Sequence, residues 1–358
     1  MTVLHIITDT NIGGAGRHLL TLLEYQEKFQ IEVALPVGSA LISELKGATC
    51  CTTYYEVPNL DDSKKGVSAL SRLLREVKPD LVHTHASFAG RVAARLYGCP
   101  VVYTRHSVFP TSPGKLSKLV YGLLNRAFSD GIIAVSPAAL ENLVQQGTSA
   151  DRVKVIYNGV PPLRECPPGE KAALLGEYGA SNGSFVVSQI ARLDDIKGHD
   201  YTLDAAKLLP DVIILIAGTG PMEAHLRRRI EEESIGNVIL AGFVQNVDEL
   251  LNITDLQINV SYGSEATSLA LLEGMSLGVP AVASDFGGNP YVISHGINGL
   301  IFPQKDAAAL AEAIKLIKDD RELYLRLSEG AKGEYNKRFR AEIMAREIES
   351  LYLEVLET

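Results

Sequence analysis

Short apolar runs rich in β-branched residues alternate with helical patterns along nearly the whole chain. In the first half the runs are Val3–Thr8, Ile31–Leu35, Asp80–Thr84, Val101–Thr104 and Ile132–Val135, with helical periodicity over Gly16–Glu27 and Lys65–Glu76. Further on they are Phe185–Ile190, Val212–Ala217, Val238–Leu240, Leu256–Val260 and Ala281–Ala283. Strands that alternate with helices form parallel sheets covered by helices on both faces. The pattern therefore predicts an α/β fold.

A proline-rich segment, residues 161–169, separates the two alternating halves and has little periodicity. Such a segment is typical of an interdomain hinge, and 358 residues suffice for two domains. We therefore predict two doubly wound, Rossmann-like domains facing across a cleft. In open α/β sheets ligands bind beyond the carboxyl ends of the strands, so we expect the functional residues there.

Charge and cysteine usage exclude several classes of protein. The formal net charge is −9, which disfavours a general nucleic-acid binder. The first residues lack the basic and apolar regions of a cleaved signal peptide, and no run reaches the ~20 apolar residues of a membrane span. The four cysteines, Cys50, Cys51, Cys99 and Cys166, show no CxxC spacing, so we expect reduced thiols and a cytoplasmic protein.

A glycine-rich loop, Gly13-Gly14-Ala15-Gly16, lies between the first strand and the first helix. Glycines there allow close approach of the backbone to a ligand and leave N–H groups free for an anion. The spacing does not match the GxGxxG fingerprint of dinucleotide-binding domains, which disfavours a nicotinamide-dependent oxidoreductase. The alternative is a tight turn without a ligand.

Two glutamates in the second half, Glu265 and Glu273, flank a predicted helix start. Glu273 shares a helical stripe with Leu269 and Leu277, and a carboxylate on an apolar stripe needs hydrogen-bond donors. A ribose diol could supply two. Glu265 is placed at the helix start, where free N–H groups suit a diphosphate. Its alternative role is simply to stabilise the helix dipole.

Two cations, Arg192 and Lys197, follow the predicted strand Phe185–Ile190. At the carboxyl end of that strand they could offset the charge of a diphosphate leaving group. The alternative is an exposed loop of mixed charge, since Asp194 and Asp195 lie between them.

The order and spacing of many short motifs resemble glycosyltransferase family 4, a group of retaining enzymes with the GT-B fold. The resemblance covers nearly the whole chain and is strongest from Ser261 to Gly299. Its motifs are Gly13-Gly14, Val82-His83-Thr84-His85, Thr104-Arg105-His106, Ala134-Val135-Ser136, Ile156-Tyr157-Asn158-Gly159-Val160, Arg192/Lys197-Gly198, Gly218-Thr219-Gly220-Pro221, Glu265/Glu273, Gly278-Val279-Pro280, Gly287-Gly288-Asn289-Pro290 and His295-Gly296-Ile297-Asn298-Gly299.

The resemblance implies a role for each half of the chain. Residues 1–162 would bind the acceptor, residues 163–339 would bind a UDP- or GDP-sugar, and a helix over 340–358 would return to the first domain. The implied donor-binding set is Gly14, Arg192, Lys197, Glu265, Ser268, Leu269 and Glu273. In this set Glu273 would bind the ribose and Glu265 would bind the transferred sugar. Arg192, Lys197 and the backbone amides of Gly14, Ser268 and Leu269 would bind the diphosphate. The implied catalytic set is His106, Arg192, Lys197 and Glu265, with His106 beside the sugar.

The implied reaction is transfer of a hexose-type sugar, with retention, to a glycan, lipid-linked or small-molecule acceptor, as in synthesis of cell-envelope polysaccharides. No Asp-x-Asp occurs in the chain, so we expect no metal and no other cofactor. A nucleotide-sugar epimerase and a non-catalytic nucleotide-sugar-binding protein stay open as alternatives.

Histidines occur at two predicted strand ends. His83 and His85 could form a metal pair, but no carboxylate or cysteine lies nearby in sequence, so we favour packing or hydrogen bonding. For His106, which follows Val101–Thr104, packing and ligand binding are both open. We expect structural or peripheral roles for His18 and His199.

A stretch without carboxylates runs from Asp80 to Asp130 and contains six basic residues. Within it, apolar residues recur at helical spacing beside Lys115, Lys118 and Arg126. A basic amphipathic helix can lie on an anionic membrane, so region 91–128 is a candidate for peripheral contact with the inner face of a membrane. We favour the alternative, an ordinary helix that covers its sheet with its apolar face.

Overall fold

Each half of the chain forms its own parallel sheet in the computed structural model, which describes residues 1–47, 53–60, 64–108 and 114–357. The chain divides into one unit of Met1–Val160 with Ala341–Thr358 and a second unit of Pro161–Arg340. The boundaries expected from sequence, at 162/163 and 339/340, lie one or two residues from these limits. Cys50 and Cys51 lie outside the described residues, while Cys99 and Cys166 are buried free thiols.

The first unit contains a seven-stranded sheet with helices between its strands. Its elements in chain order are β1 (Thr2–Ile7), α1 (Gly14–Tyr25), β2 (Gln30–Pro36), α2 (Leu41–Gly47), β3 (Thr53–Val57), α3 (Lys64–Val77), β4 (Leu81–His85), α4 (Phe88–Tyr97), β5 (Val101–Arg105), α5 (Lys115–Phe128), β6 (Gly131–Ala134), α6 (Pro137–Gln145) and β7 (Val153–Val155). The strand order is β3-β2-β1-β4-β5-β6-β7.

The second unit contains a six-stranded sheet of similar order. Its elements are α7 (Pro168–Glu177), β8 (Phe185–Ile190), α8 (His199–Ala206), β9 (Val212–Ala217), α9 (Glu223–Glu232), β10 (Val238–Gly242), α10 (Val247–Asn252), β11 (Leu256–Asn259), α11 (Leu269–Ser276), β12 (Ala281–Ser284), α12 (Asn289–Val292), β13 (Gly299–Phe302), α13 (Ala307–Asp319) and α14 (Arg321–Glu334). The strand order is β10-β9-β8-β11-β12-β13.

The last helix, α15 (Ala341–Leu356), packs on the sheet of the first unit although it follows the second unit in sequence. Met344, Ile348 and Tyr352 are buried against a sheet face that includes Val3 and Val102. Glu349 is also buried there, and its Oε1 accepts hydrogen bonds from the backbone N–H groups of residues 27 and 28, at 2.7 Å each. Apolar burial and a satisfied carboxylate therefore fix this helix.

The predicted α/β class is confirmed, and each sheet has one topological switch point. Strand order reverses between β1 and β4 in the first sheet and between β8 and β11 in the second. Crossover connections leave these adjacent strands in opposite directions, which opens a crevice at their carboxyl ends. The fold therefore marks the loops after these four strands as the sites for ligands.

Three strands are absent from the sequence-based prediction: β3, β7 and β13. All three lie at sheet edges. Edge strands are less completely buried, and β3 and β7 lack the continuous apolar run that identifies central strands. Within the described ranges, no helix is both long enough and apolar enough to cross a bilayer.

Candidate active site

The loops after β8 and β11 bring Lys197 and Glu265 together at the switch point of the second sheet. Lys197 Nζ lies 2.9 Å from Glu265 Oε2 and 3.1 Å from the carbonyl oxygen of Ser264. Both side chains are largely buried, with 19% and 9% of their surfaces exposed. Charges removed from water in this way need a partner of opposite sign. The two predicted residues thus form one ion pair.

Polar neighbours complete the environment of the Glu265 carboxylate. Asn259 Nδ2 and Ser261 Oγ each donate to Oε2 at 3.1 Å. Among the described residues, Lys197, Asn259 and Ser261 all donate to Oε2. Oε1 can therefore accept a hydrogen bond from a ligand. Asn259 and Ser261 were missed by the sequence analysis. Their position at and just after the end of β11 is the signal that could have identified them.

The start of α11 differs from its predicted position. The helix begins at Leu269, with Ser268 as its N-cap, so Glu265 precedes the helix and does not stabilise its first turn. The Ser268 hydroxyl accepts from the N–H of Leu271. The first N–H groups of a helix have no carbonyl partner within it, so the amide at Leu269 keeps its predicted capacity to bind an anion.

The predicted apolar stripe around Glu273 is wrong in part. Leu269, Glu273 and Leu277 are only half-buried, and the core face of α11 includes Leu271 and Met275. Burial alone therefore does not require hydrogen-bond donors for Glu273, and its ribose-binding role stays a prediction.

Arg192 lies on the same loop as Lys197 but reaches into solvent. Its side chain is 70% exposed and forms an ion pair with Asp194. The buried His199 Nε2 bonds to the carbonyl oxygen of Arg192 at 3.1 Å, so this histidine supports the loop, as its predicted structural role requires. Arg192 can therefore exchange Asp194 for another anion at little cost in desolvation.

Glycines hold the loops of this unit against one another. A Cβ at Gly288 would overlap the carbonyl oxygen of Ala266, and the N–H of Gly288 donates to the carbonyl oxygen of Glu265 at 2.9 Å. Gly198 has φ +73°, and a Cβ there would overlap the carbonyl oxygen of Val260. No other residue type fits such contacts without backbone shifts. These glycines fix Lys197 and Glu265 relative to one another.

The glycine loop of the first unit has a different character. Gly13 is the N-cap of α1, and Gly14 is its first residue. Among the described residues, no atom lies within 4 Å of the place where a Cβ on either glycine would stand. Packing within the chain therefore does not require these glycines. The binding of a ligand by the amide of Gly14 stays a prediction.

Five histidines of the first unit, four of them buried and His106 half-buried, form one cluster at the switch point between β1 and β4. His5 is opposite His83 in the strand register. His5 Nδ1 lies 3.0 Å from His85 Nε2, and His85 Nδ1 lies 2.9 Å from His106 Nε2. His18 packs edge-on against His106, with ring centroids 4.8 Å apart. The structure thus brings the predicted His106 together with four further imidazoles.

Two polar side chains extend this cluster. Tyr352 of α15 places its hydroxyl 2.5 Å from His83 Nδ1 and 3.5 Å from His5 Nε2. The Thr104 hydroxyl lies 2.6 Å from His83 Nε2. His5 and Tyr352 were not among the residues predicted for the site. His5 could have been found from its position on β1, which pairs with β4, the strand that carries His83. Nothing in the sequence near Tyr352 indicated a role for it.

Burial keeps the cluster neutral at pH 7. It lowers the pKa of His5 to about 3 and that of His18 to about 4. Burial, and then repulsion from neighbouring imidazoles, lowers the pKa of His83, His85 and His106 well below the usual histidine range. Each ring therefore carries one proton and can donate one hydrogen bond and accept one.

The cluster also meets the distance requirement of a metal site. Ring nitrogens of two triads, His5–His83–His85 and His18–His85–His106, lie within 4.8 Å of one another. The third histidine that the sequence analysis did not find for His83 and His85 is thus present. However, His85 belongs to both triads and both of its ring nitrogens are already hydrogen-bonded, so an ion would have to break one of these bonds. We therefore retain hydrogen bonding as the interpretation.

The favoured prediction for α5, that its apolar face covers the sheet, is wrong. Leu116, Leu119 and Leu123 are exposed, at 74%, 60% and 57%, whereas the polar Asn125 is buried. Asn125 bonds to Arg91 Nη1 and to the Thr148 hydroxyl, at 2.7 Å each. The polar Asn125 thus anchors α5 to the unit, and the apolar side chains of Leu116, Leu119 and Leu123 face solvent.

The Lys197–Glu265 pair should contribute to folding, whereas Arg192 should not. We expect Lys197→Ala to lower the free energy of unfolding by about 3 kcal/mol, because it leaves the buried Glu265 carboxylate without its counter-charge. Urea denaturation measures this change. Arg192→Ala is the matched control, with an expected change within about 0.5 kcal/mol. Equal stability of both variants would contradict the assignment of a structural ion pair.

Comparisons with known proteins agree with the motif resemblance. Residues 12–164 match the family described as Glycosyltransferase Family 4, and residues 171–334 match Glycosyl transferases group 1. The chain is 27% identical over 378 residues to the Escherichia coli UDP-Gal:alpha-D-GlcNAc-diphosphoundecaprenol alpha-1,3-galactosyltransferase, covering 99% of this chain and 97% of that protein.

Two further relatives show how far the likeness extends. N-acetyl-alpha-D-glucosaminyl L-malate synthase of Bacillus anthracis is 27% identical, over 81% of this chain and 78% of that protein. Among solved structures, Anabaena HepE in complex with UDP and glucose has a TM-score of 0.88 at 23% identity, covering 99% of this chain and 100% of that chain. This last likeness shows the fold.

Proposed function

This chain belongs to glycosyltransferase family 4, and from that premise we propose that it transfers a hexose-type sugar from a nucleotide diphosphate sugar, UDP- or GDP-linked, to an acceptor hydroxyl. The acceptor is a glycan, a lipid-linked or a small molecule, and the anomeric configuration is retained. The buried Lys197–Glu265 pair at the switch point of the second sheet is the observation that best supports this proposal.

In this proposal the diphosphate is bound by positive charge and backbone N–H groups. Arg192 exchanges Asp194 for phosphate oxygens, and Lys197 supplies a second cation from the same loop. The backbone amides of Ser268 and Leu269 complete the set in the second unit, and a contact from the amide of Gly14 stays a prediction. Cations and helix N-termini stabilise the charge that builds up on the leaving phosphate, so the reaction needs no metal.

The two glutamates orient the donor. Glu265 accepts a hydrogen bond from a hydroxyl of the transferred sugar through Oε1, while Lys197, Asn259 and Ser261 hold Oε2. Glu273, on the half-buried stripe of α11, accepts from the ribose hydroxyls. Orientation of this kind lowers the barrier because the reacting atoms are already placed.

The transfer step then proceeds at the face from which the phosphate departs. The bond from the anomeric carbon to the phosphate oxygen breaks, and the acceptor oxygen bonds to that carbon on the same side. The acceptor proton passes to the departing phosphate oxygen. His106 stays in the predicted catalytic set. No residue forms a bond to the sugar in this step, so the protein mainly supplies orientation and charge stabilisation.

A donor panel tests the activity. We expect one of a set of UDP-, GDP- and ADP-sugars to release its nucleotide only when an acceptor extract is present, with equal rates in EDTA and in Mg²⁺. Nucleotide release is followed by a coupled assay, and the proton NMR coupling of the anomeric proton in the product reads its configuration.

The same panel distinguishes the alternatives. Conversion of the donor sugar without an acceptor would indicate an epimerase, and binding without turnover would indicate a non-catalytic binding protein. An inverted product would contradict retention. Activity that is lost in EDTA and restored by Mg²⁺ or Mn²⁺ would contradict metal independence.

Arg192 should affect turnover and leave the fold intact. We expect Arg192→Ala to lower kcat by about 10²–10³-fold, because it removes one charge that stabilises the leaving phosphate. Initial rates with the donor found in the panel measure this effect. Arg228→Ala on α9, which also removes an exposed arginine, is the control and should retain the normal rate. Near-normal turnover of Arg192→Ala would exclude its role at the phosphate.

We also propose that α5 contacts an anionic membrane surface at which a lipid-linked acceptor would be met. Leu116, Leu119 and Leu123 project from the unit, and Lys115 and Lys118 lie on the same helix. Apolar side chains enter the interface between headgroups and acyl chains while lysines bind anionic headgroups. The absence of carboxylates between Asp80 and Asp130 favours this partner.

Liposome co-sedimentation tests this contact. We expect binding to vesicles with anionic lipid at low salt, weaker binding at high salt, and loss of binding in the double variant Leu116→Ser/Leu119→Ser, because its apolar face is removed. The matched control is Leu316→Ser/Leu325→Ser, which changes exposed leucines of α13 and α14, each 52% exposed. Equal binding of both double variants would show that α5 is not the contact.

A further inference from the structure

The buried histidine cluster contains one continuous chain of hydrogen bonds. It begins at Thr104 Oγ1, which bonds to His83 Nε2, and His83 Nδ1 bonds to the Tyr352 hydroxyl. The same hydroxyl bonds to His5 Nε2. His5 Nδ1 then bonds to His85 Nε2, and His85 Nδ1 bonds to His106 Nε2. The distances of the five bonds lie between 2.5 and 3.5 Å. Beyond it, His106 Nδ1 is buried and has no partner among the described residues.

The protons of such a chain can be arranged in only two ways, because every hydrogen bond in it must be donated toward the same end. A neutral imidazole donates from one nitrogen and accepts at the other, and a phenol hydroxyl donates one hydrogen bond. If His85 donates to His106, then His5 donates to His85, and the order continues to the far end. The proton position on the last ring, His106, is therefore coupled to the group at the first position, Thr104.

Thr104 selects the direction. Its side chain is buried, and within the described part of the chain its hydroxyl has one hydrogen-bond partner, His83 Nε2. If His83 Nε2 carried the proton, the Thr104 hydroxyl hydrogen would be buried without an acceptor, which is costly. The hydroxyl therefore donates to His83, and every ring of the chain carries its proton on Nδ1.

His18 presents the opposite group beside His106. The Asn158 amide oxygen lies 2.9 Å from His18 Nδ1, so this nitrogen donates and Nε2 keeps a lone pair. Among the described residues, His18 Nε2 is buried without a partner. His18 packs edge-on against His106, with ring centroids 4.8 Å apart, and its bond to Asn158 places its own proton on Nδ1.

We infer that Thr104 and Tyr352 are positioning residues that hold the His106 proton on Nδ1. His106 then offers a hydrogen-bond donor at the ring nitrogen that has no partner among the described residues. The opposite proton position would turn this nitrogen into an acceptor, so Thr104 and Tyr352 set which kind of group His106 can bind. The catalytic role of His106 rests on the proposed function, whereas the proton positions do not.

Nitrogen NMR of the full chain labelled with ¹⁵N-histidine tests the proton positions without any ligand. Correlation of ring nitrogens with ring carbon-bound protons identifies the protonated nitrogen of each histidine. We expect protonated Nδ1 for His5, His83, His85, His106 and His18. A proton on His106 Nε2 in the unmodified protein would overturn the inference.

Variants test the coupling along the chain. Tyr352→Phe and Thr104→Val each break it far from His106, and we expect His106 to change from one tautomer to a mixture. Thr104→Ser keeps the hydroxyl and should restore the single tautomer. The control Tyr97→Phe removes a phenol hydroxyl on α4 and should change nothing. An unchanged His106 in both Tyr352→Phe and Thr104→Val would show that these residues only pack.

Discussion

Contacts between backbones hold the loops of the second unit in place. Gly288 and Gly198 let the loops that follow β12 and β8 pack directly on carbonyl oxygens of the segment after β11. Lys197 meets Glu265 only because no side chains separate these loops. The buried ion pair, its amide and hydroxyl partners and the start of α11 all depend on this spacing. These two glycines thus decide whether the Lys197–Glu265 ion pair can form.

Polar groups occupy the switch points of both sheets, but each unit compensates their burial differently. In the second unit opposite charges cancel, since the Lys197 ammonium donates to Oε2 of the Glu265 carboxylate. In the first unit the groups are neutral, and burial keeps the imidazoles uncharged so that they can bond to one another. A hydrogen-bonded network of either kind favours one geometry, because each bond that breaks leaves a buried polar group without a partner.

The sequence predicted the fold class, most central strands and the family resemblance, which the family models confirm. It also identified Lys197 and Glu265, because charged residues at strand ends stand out in apolar surroundings. It could not reveal that these two are partners, since register between distant loops is set by tertiary packing. The orientation of α5 was missed for a related reason: helical periodicity shows that two faces exist but not which one Asn125 turns inward. Tyr352 was missed because its partners lie more than 200 residues away.

The return of α15 to the first unit has a consequence for biosynthesis. A ribosome completes the strands of the first sheet early, but the helix that covers one of its faces follows Pro161–Arg340. Until then that apolar face, with Val3 and Val102, lacks its cover, and the histidines lack the phenol that joins them. The amino-terminal unit therefore cannot finish folding as it emerges, and the second unit has time to form first. The unit whose synthesis begins first is therefore the last to complete its fold.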